Sequence, residues 1–136
     1  MDSVNKSKIF KYDKDIERSH FLHPTAFLVF ARARQWAHDK DLPFVVTSTV
    51  STKEEDDVIN RQTKTHRQGR AFDMSVQSWS TDDIDDFKCD MEKELGRYGA
   101  ISASDLARRL IVVHTGTAPH IHAQIDANFS NGNVLV

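Results

Sequence analysis

Apolar residues recur along this chain in two rhythms, and the switches between them mark the elements. Across residues 24–40, Phe27, Phe30, Ala31, Ala33, Trp36 and Ala37 fall largely three and four apart, the spacing of one helix face. Pro24 suits the first turn of that helix, where a missing N–H costs no hydrogen bond. A second helix is predicted where residues 80–83 offer a cap and Ile84, Phe87, Met91, Leu95 and Tyr98 follow at helical spacing, with Gly96 or Gly99 ending it. Residues 104–109 read as a further short helix.

The other rhythm has period two. Residues 44–48 are rich in β-formers and bounded by Pro43, which predicts a buried strand. Residues 70–76 predict a second strand, with Ala71 and Asp73 on one face and Phe72 and Met74 on the other. Residues 110–114 form a third, leading through Gly116 and Pro119 into a fourth. There His120, His122, Gln124 and Asp126 alternate with Ile121, Ala123 and Ile125. Between these elements, residues 49–65 are polar, and residues 130–133 read as a turn. The sum is an α+β fold, a small and largely antiparallel sheet with helices packed on one side. A chain of 136 residues suits one domain. Residues 1–22 read as its N-terminal extension.

The candidate chemistry lies on the polar faces of those strands. His66, Asp73 and the His120-Ile121-His122 run supply imidazoles and a carboxylate from separate segments, the ligand set of a catalytic zinc site with one coordination position open. Seven residues separate His66 from Asp73, too many for one helical face, so the segment must turn. Gly69 is where it can do so without a Cβ penalty. Neighbouring imidazoles on a strand repel when charged and are costly to bury unless a metal or hydrogen bonds compensate. A metal at such a site polarises a carbonyl and activates water, so amide hydrolysis is the natural reaction class.

The segments His66-Arg67-Gln68-Gly69-Arg70-Ala71-Phe72-Asp73 and Pro119-His120-Ile121-His122-Ala123-Gln124-Ile125 resemble the HxxGxAxD and HxH motifs of the zinc D-Ala-D-Ala carboxypeptidases and phage L-alanyl-D-glutamate endopeptidases. They are similar also to the related Hedgehog signalling domain. The resemblance covers roughly residues 44–126. It implies that His66, Asp73 and His122 hold the zinc, that His120 is an auxiliary histidine beside it, and that the partner is a peptidoglycan stem peptide. Two departures bear on catalysis. The family keeps a Glu or Asp shortly before the HxH, but His114-Thr115-Gly116-Thr117-Ala118-Pro119 has none, so His114 is the leading general base, with Glu54 or Glu55 second, and His120 is the second catalytic candidate, to stabilise the oxyanion or only to orient the site. Peptidase members also carry an Arg where this chain reads Thr47-Ser48-Thr49-Val50-Ser51-Thr52. A zinc-binding but catalytically silent domain, with a binding or virion role, is therefore the alternative to a peptidase.

Composition narrows the classes further. A net charge of −2, with 18 Lys and Arg against 20 Asp and Glu, lacks the concentrated positive charge that phosphate binding needs, so no nucleic-acid partner is expected. No apolar run is long enough to span a membrane, and the first residues lack the apolar core of a signal peptide, so synthesis in the cytoplasm and later release to the cell wall are expected. A monomer is expected. Cys89 lies among Asp85, Asp86 and Asp90, which oppose thiolate formation, and reads as a helix residue. The cluster Glu54-Glu55-Asp56-Asp57 reads as a solvated face that opens a short helix, in a loop whose place corresponds to one that binds calcium in the Hedgehog relatives. Trp36 and Trp79 read as packing residues, with a groove-lining role for Trp79 as the other option. His20, His23 and His38 read as surface or capping residues.

Overall fold

The computed structural model of the chain describes residues 9–102 and 104–129. The turn expected at 130–133 lies outside them. Strands β1 (Val45–Ser48), β2 (Ala71–Ser75), β5 (Ile111–His114) and β6 (His120–Gln124) form one antiparallel sheet in the order β1-β2-β6-β5. The period-two pattern sets its two faces. Phe72, Met74, Ile121 and Ala123 are buried on one side, while Asp73, His120, His122 and Gln124 share the other. A one-residue slip would bring the histidines into the core, so the same alternation that fixes packing fixes the site.

Helices α2 (Pro24–Asp39) and α4 (Thr81–Leu95) cover the apolar face. Phe30 of α2 meets Phe72 edge-on with ring centres 5.2 Å apart, and Trp36 meets Phe87 of α4 in the same manner, also at 5.2 Å. The starts of both helices follow from their caps. The His23 ring accepts from the Thr25 N–H ahead of Pro24 at 3.1 Å, and the Ser80 hydroxyl accepts from the Asp83 N–H at 3.1 Å. Trp79 is packing only: it is buried, stacks on Trp36 at 5.7 Å and donates its indole N–H to the Pro43 carbonyl, on the far side of the sheet from the histidines. Cys89 is an exposed residue of α4.

Residues 104–109 do not form the expected helix. They turn between β3 (Ala100–Ile101) and β4 (Arg108–Arg109), which pair as a separate two-stranded ribbon. Short side chains hold the alternative: the Asp105 carboxylate accepts from the Ala107 N–H and the Ser102 hydroxyl from the Ser104 N–H, while Leu106, at φ 58°, donates its N–H to the Ser102 carbonyl. Ser and Asp bonding their own local backbone outcompete a helix in so short a stretch. Gly99 precedes β3 where a Cβ would lie 2.5 Å from the Leu110 nitrogen, so the backbone approach itself requires glycine there.

The segment before residue 22 belongs to the fold from Ile9 onward. Ile9 and Lys11 exchange backbone bonds with Val46 at the β1 edge, and the short α1 (Lys14–Arg18) carries a buried Asp15. Nor is the acidic cluster simply a solvated face. Helix α3 (Lys53–Val58) opens with a reciprocal Thr52–Glu55 capping box, Asp56 is fully buried against Arg61, and Asp57 pairs with Lys53. Each of those three carboxylates has its own cation or cap, so they diverge rather than converge on a calcium ion. Among the described residues no helix is long and apolar enough to cross a membrane.

Glu55 links α3 to α1, accepting from Arg18 at 2.6 Å and from Lys14 at 3.0 Å. Burial alone would raise its pKa, but the Arg18, Thr52 and Lys14 donors outweigh this and bring it from 4.5 to about 2. A depressed carboxyl adds stability that is full above the unfolded value, about 4.5, and is lost as pH falls through about 2. Glu55→Gln is expected to make stability, followed by urea unfolding, fall less steeply with acid across that window. The gain is small because the group is partly exposed. An unchanged slope would place the acid sensitivity elsewhere.

Candidate metal centre

Neighbouring strands bring two of the expected ligands together, since Asp73 of β2 lies directly opposite His122 of β6 in the ladder. His120 is paired one step away, opposite Ser75 on one side and His114 of β5 on the other. His66 arrives from the loop before β2. Gly69, at φ 70°, turns that loop, and the Arg70 N–H donates back to the Thr65 carbonyl at 2.8 Å. The loop is pinned from outside as well, because the His23 N–H at the start of α2 donates to the Gly69 carbonyl at 2.8 Å. The result buries His66 almost completely. Among the described residues, His66, Asp73 and His122 form a group whose ligand atoms all lie within 4.8 Å of one another.

Their hydrogen bonds set which nitrogen each imidazole presents. The His66 Nδ1–H donates to the Thr49 carbonyl at 2.7 Å, which leaves Nε2 with a lone pair. That Nε2 is buried, has no hydrogen-bond partner, and lies 3.4 Å from Asp73 Oδ1. An orphaned buried acceptor costs ~1–3 kcal/mol, a cost that a bound cation removes. For His122, the Gln124 amide donates to the Arg109 carbonyl, so its oxygen faces the ring and accepts from Nε2–H at 3.0 Å. Nδ1 of His122 is thereby turned to Asp73 Oδ1, 2.8 Å away. Thr49 and Gln124 thus act as outer partners that orient the ligands.

Asp73 is poised as an anion. Burial would raise its pKa, but the neighbouring imidazoles, when protonated, outweigh it by their charge, that of His66 first, and by donating to Asp73, and so hold the carboxyl well below the usual carboxylate range; a cation would take the place of those protons. Two nitrogens and one ionised oxygen, converging on a small space, fit a metal cation. These residues can hold a metal.

The two remaining sequence candidates sit beside this group. The His114 and His120 rings stack with centres 4.7 Å apart and planes 19° apart, and His114 lies 6.4 Å from His122 in an edge-on arrangement. His120 directs Nδ1–H to the Ala118 carbonyl at 3.2 Å, leaving Nε2 free. Desolvation of the otherwise exposed His114 imidazole is the first cause that lowers its pKa from 6.5, followed by the charges of His120 and His122. Glu54 and Glu55 are not brought to the ligands. Glu54 is exposed on α3, and the Glu55 carboxylate is occupied by Arg18 and Lys14.

A cleft of about 880 Å³ opens beside the group. Asp73, Ser75 and His120 contribute to its wall from the sheet, Glu55, Ile59 and Arg61 from α3 and the loop after it, and Asp15 and Arg18 from α1. Sequence reasoning missed Arg61, Asp56 and Asp15. Arg61 and Asp56 lie in a stretch without periodicity, and their pairing across the α3 end leaves no pattern to read; the only signal for Asp15 is an acid beside Ile16. Gln124 was visible as a member of the histidine face. No protein-family model, curated protein or solved structure matches this chain.

Proposed function

We propose that this chain is a zinc-dependent peptidase that cleaves peptide bonds in bacterial cell-wall stem peptides, in the manner of phage endolysins or D-Ala-D-Ala carboxypeptidases. The observation that carries the reading is the convergence of His66, Asp73 and His122 at the side of an open cleft, with Nε2 of His66 buried and unpartnered. His66 Nε2, Asp73 and His122 Nδ1 are the atoms that would hold the ion. Zinc there would supply Lewis acidity toward a peptide carbonyl and lower the proton affinity of a water.

The chain's own residues do the rest. His114, neutral at neutral pH because its pKa is lowered, takes the proton from the attacking water and returns it to the leaving amine. His120, held by the Ala118 carbonyl, keeps the ring of His114 in place by stacking and lines the cleft. Thr49 and Gln124 keep the ligand tautomers fixed. With a volume of about 880 Å³ and a lining that mixes apolar and charged side chains, the cleft has room for a short peptide segment beside this group.

A catalytically silent zinc domain is the second reading, favoured by one observation: no carboxylate lies in the segment between β5 and β6, where the family that the chain resembles keeps its base. Zinc loading at neutral pH followed by elemental analysis is expected to return about one ion per chain. Incubation with purified peptidoglycan is then expected to release new amino termini, and a chelator to stop that release. Zinc without any release, across several cell-wall types, would select the silent reading. No zinc would overturn both.

A further inference from the structure

Arg61 is held more rigidly than a cleft-wall arginine needs to be. Its backbone N–H donates to the Asp56 carbonyl at 2.8 Å, and its Nη1 donates to the Asp56 carboxylate, also at 2.8 Å. Asp56 is itself completely buried and anchored by the Ser51 hydroxyl at 2.6 Å. One arm of the guanidinium is thus fully committed. The other, Nη2, stands 3.7 Å from Asp73 Oδ2, beyond hydrogen-bonding reach, on a residue that lines the cleft.

Charge gives that second arm a purpose. Asp56 and Asp73 are balanced by Arg61 and by Arg67, whose Nε lies 3.8 Å from Asp56. A divalent ion at the ligand group would leave this set with surplus positive charge, which favours a ligand that is anionic or becomes so. A guanidinium fixed by a buried carboxylate is a preorganised donor for such a charge.

We propose that Arg61 is the electrophilic residue of the site, its Nη2 donating to the carbonyl oxygen of the scissile peptide as that oxygen becomes negative. This rests on the peptidase reading. In the addition step, water oxygen bonds to the carbonyl carbon, the C=O π pair moves onto oxygen, and the water proton passes to His114. Arg61 keeps all its protons and supplies only the hydrogen bond. Asp56 is a positioning residue, acting through Arg61.

The test uses the zinc-loaded full chain, with two readouts. The first is kcat and KM on a stem peptide, and the second is the affinity for a phosphinate dipeptide, whose tetrahedral anion resembles the addition intermediate. Arg61→Lys and Arg61→Ala are expected to keep zinc, to lower kcat by about 10²–10³-fold with little change in KM, and to weaken phosphinate binding similarly. Added guanidinium ion is expected to restore part of the Arg61→Ala loss. A residue that only braces Asp73 would lower zinc affinity instead and show no rescue. Arg61→Lys keeps a cation for Asp56, so it reports even where Arg61→Ala fails to fold. Wild-type and Arg61→Lys chains that bind the phosphinate equally, or a wild type that does not bind it, would overturn the assignment. A wild type that binds it through Arg61 but cleaves no peptide would uphold the assignment and sink the peptidase reading alone.

Discussion

His66→Ala, Asp73→Ala and His122→Ala are each expected to abolish tight zinc binding, whereas His120→Ala keeps most of it. Three converging protein ligands are the fewest that hold the ion in a tetrahedral site with an open position, and two of these three do not suffice. The distinction between the two histidines of one strand comes from ladder register. His122 is opposite Asp73, while His120 is opposite Ser75 and stacks on His114 instead. Outer partners should matter less. Gln124→Ala frees the His122 ring to turn and is expected to weaken binding about 10–100-fold, since loss of an orienting hydrogen bond leaves the ligand itself in place. Competition against a chromophoric chelator measures the five variants and the wild type on one scale. An essential His120 beside a dispensable His122 would mean that the strand presents its other histidine, and the site would have to be rebuilt around it.

Much of this site was legible because β-strand alternation is a strict code. Asp73 and His122 each stand among neighbours whose apolar side chains must face the core, so the face of each polar residue followed from Phe72, Met74, Ile121 and Ala123. The turn at Gly69 was legible for the same kind of reason, a backbone conformation with few tenants. What could not be read were pairings between segments of no periodicity. Asp15 fixes the Thr49 peptide, accepting from its N–H at 3.0 Å, and the Thr49 carbonyl then orients His66. That chain of contacts joins three segments separated by more than thirty residues in the first step alone, and nothing local announces it. Asp56 escaped for a related reason. An acid among acids looks solvated, yet its helix turns this one inward onto Arg61 while Glu54 and Asp57 face out. Residues 104–109 failed in the opposite direction, a helix-like composition overruled by side chains that bond their own backbone.

His114→Ala is expected to retain both fold and zinc while losing about 10²–10⁴-fold in turnover, the range attributed to a positioned base. Retention follows from its place: His114 ends β5, is exposed, and is not one of the three converging ligands. The loss follows from geometry, since its ring stacks on His120 and stands edge-on to His122, and no carboxylate of the β5–β6 connection can replace it. The pH dependence has a definite sign. A base works when neutral, and desolvation with the charges of His120 and His122 lowers the pKa of His114 below 6.5. Turnover by the wild type should therefore hold at neutral pH and fall only as pH drops through that lowered value, an acid limb that His114→Ala removes. Hydrolysis rate against pH for both proteins decides the matter, because a purely structural His114 would change zinc content or unfolding temperature and leave the limb where it was. Equal rates across the range would take the proton transfer away from His114 altogether. Glu55 could inherit it only by releasing Arg18 and Lys14, which Glu55→Gln in the same assay would reveal.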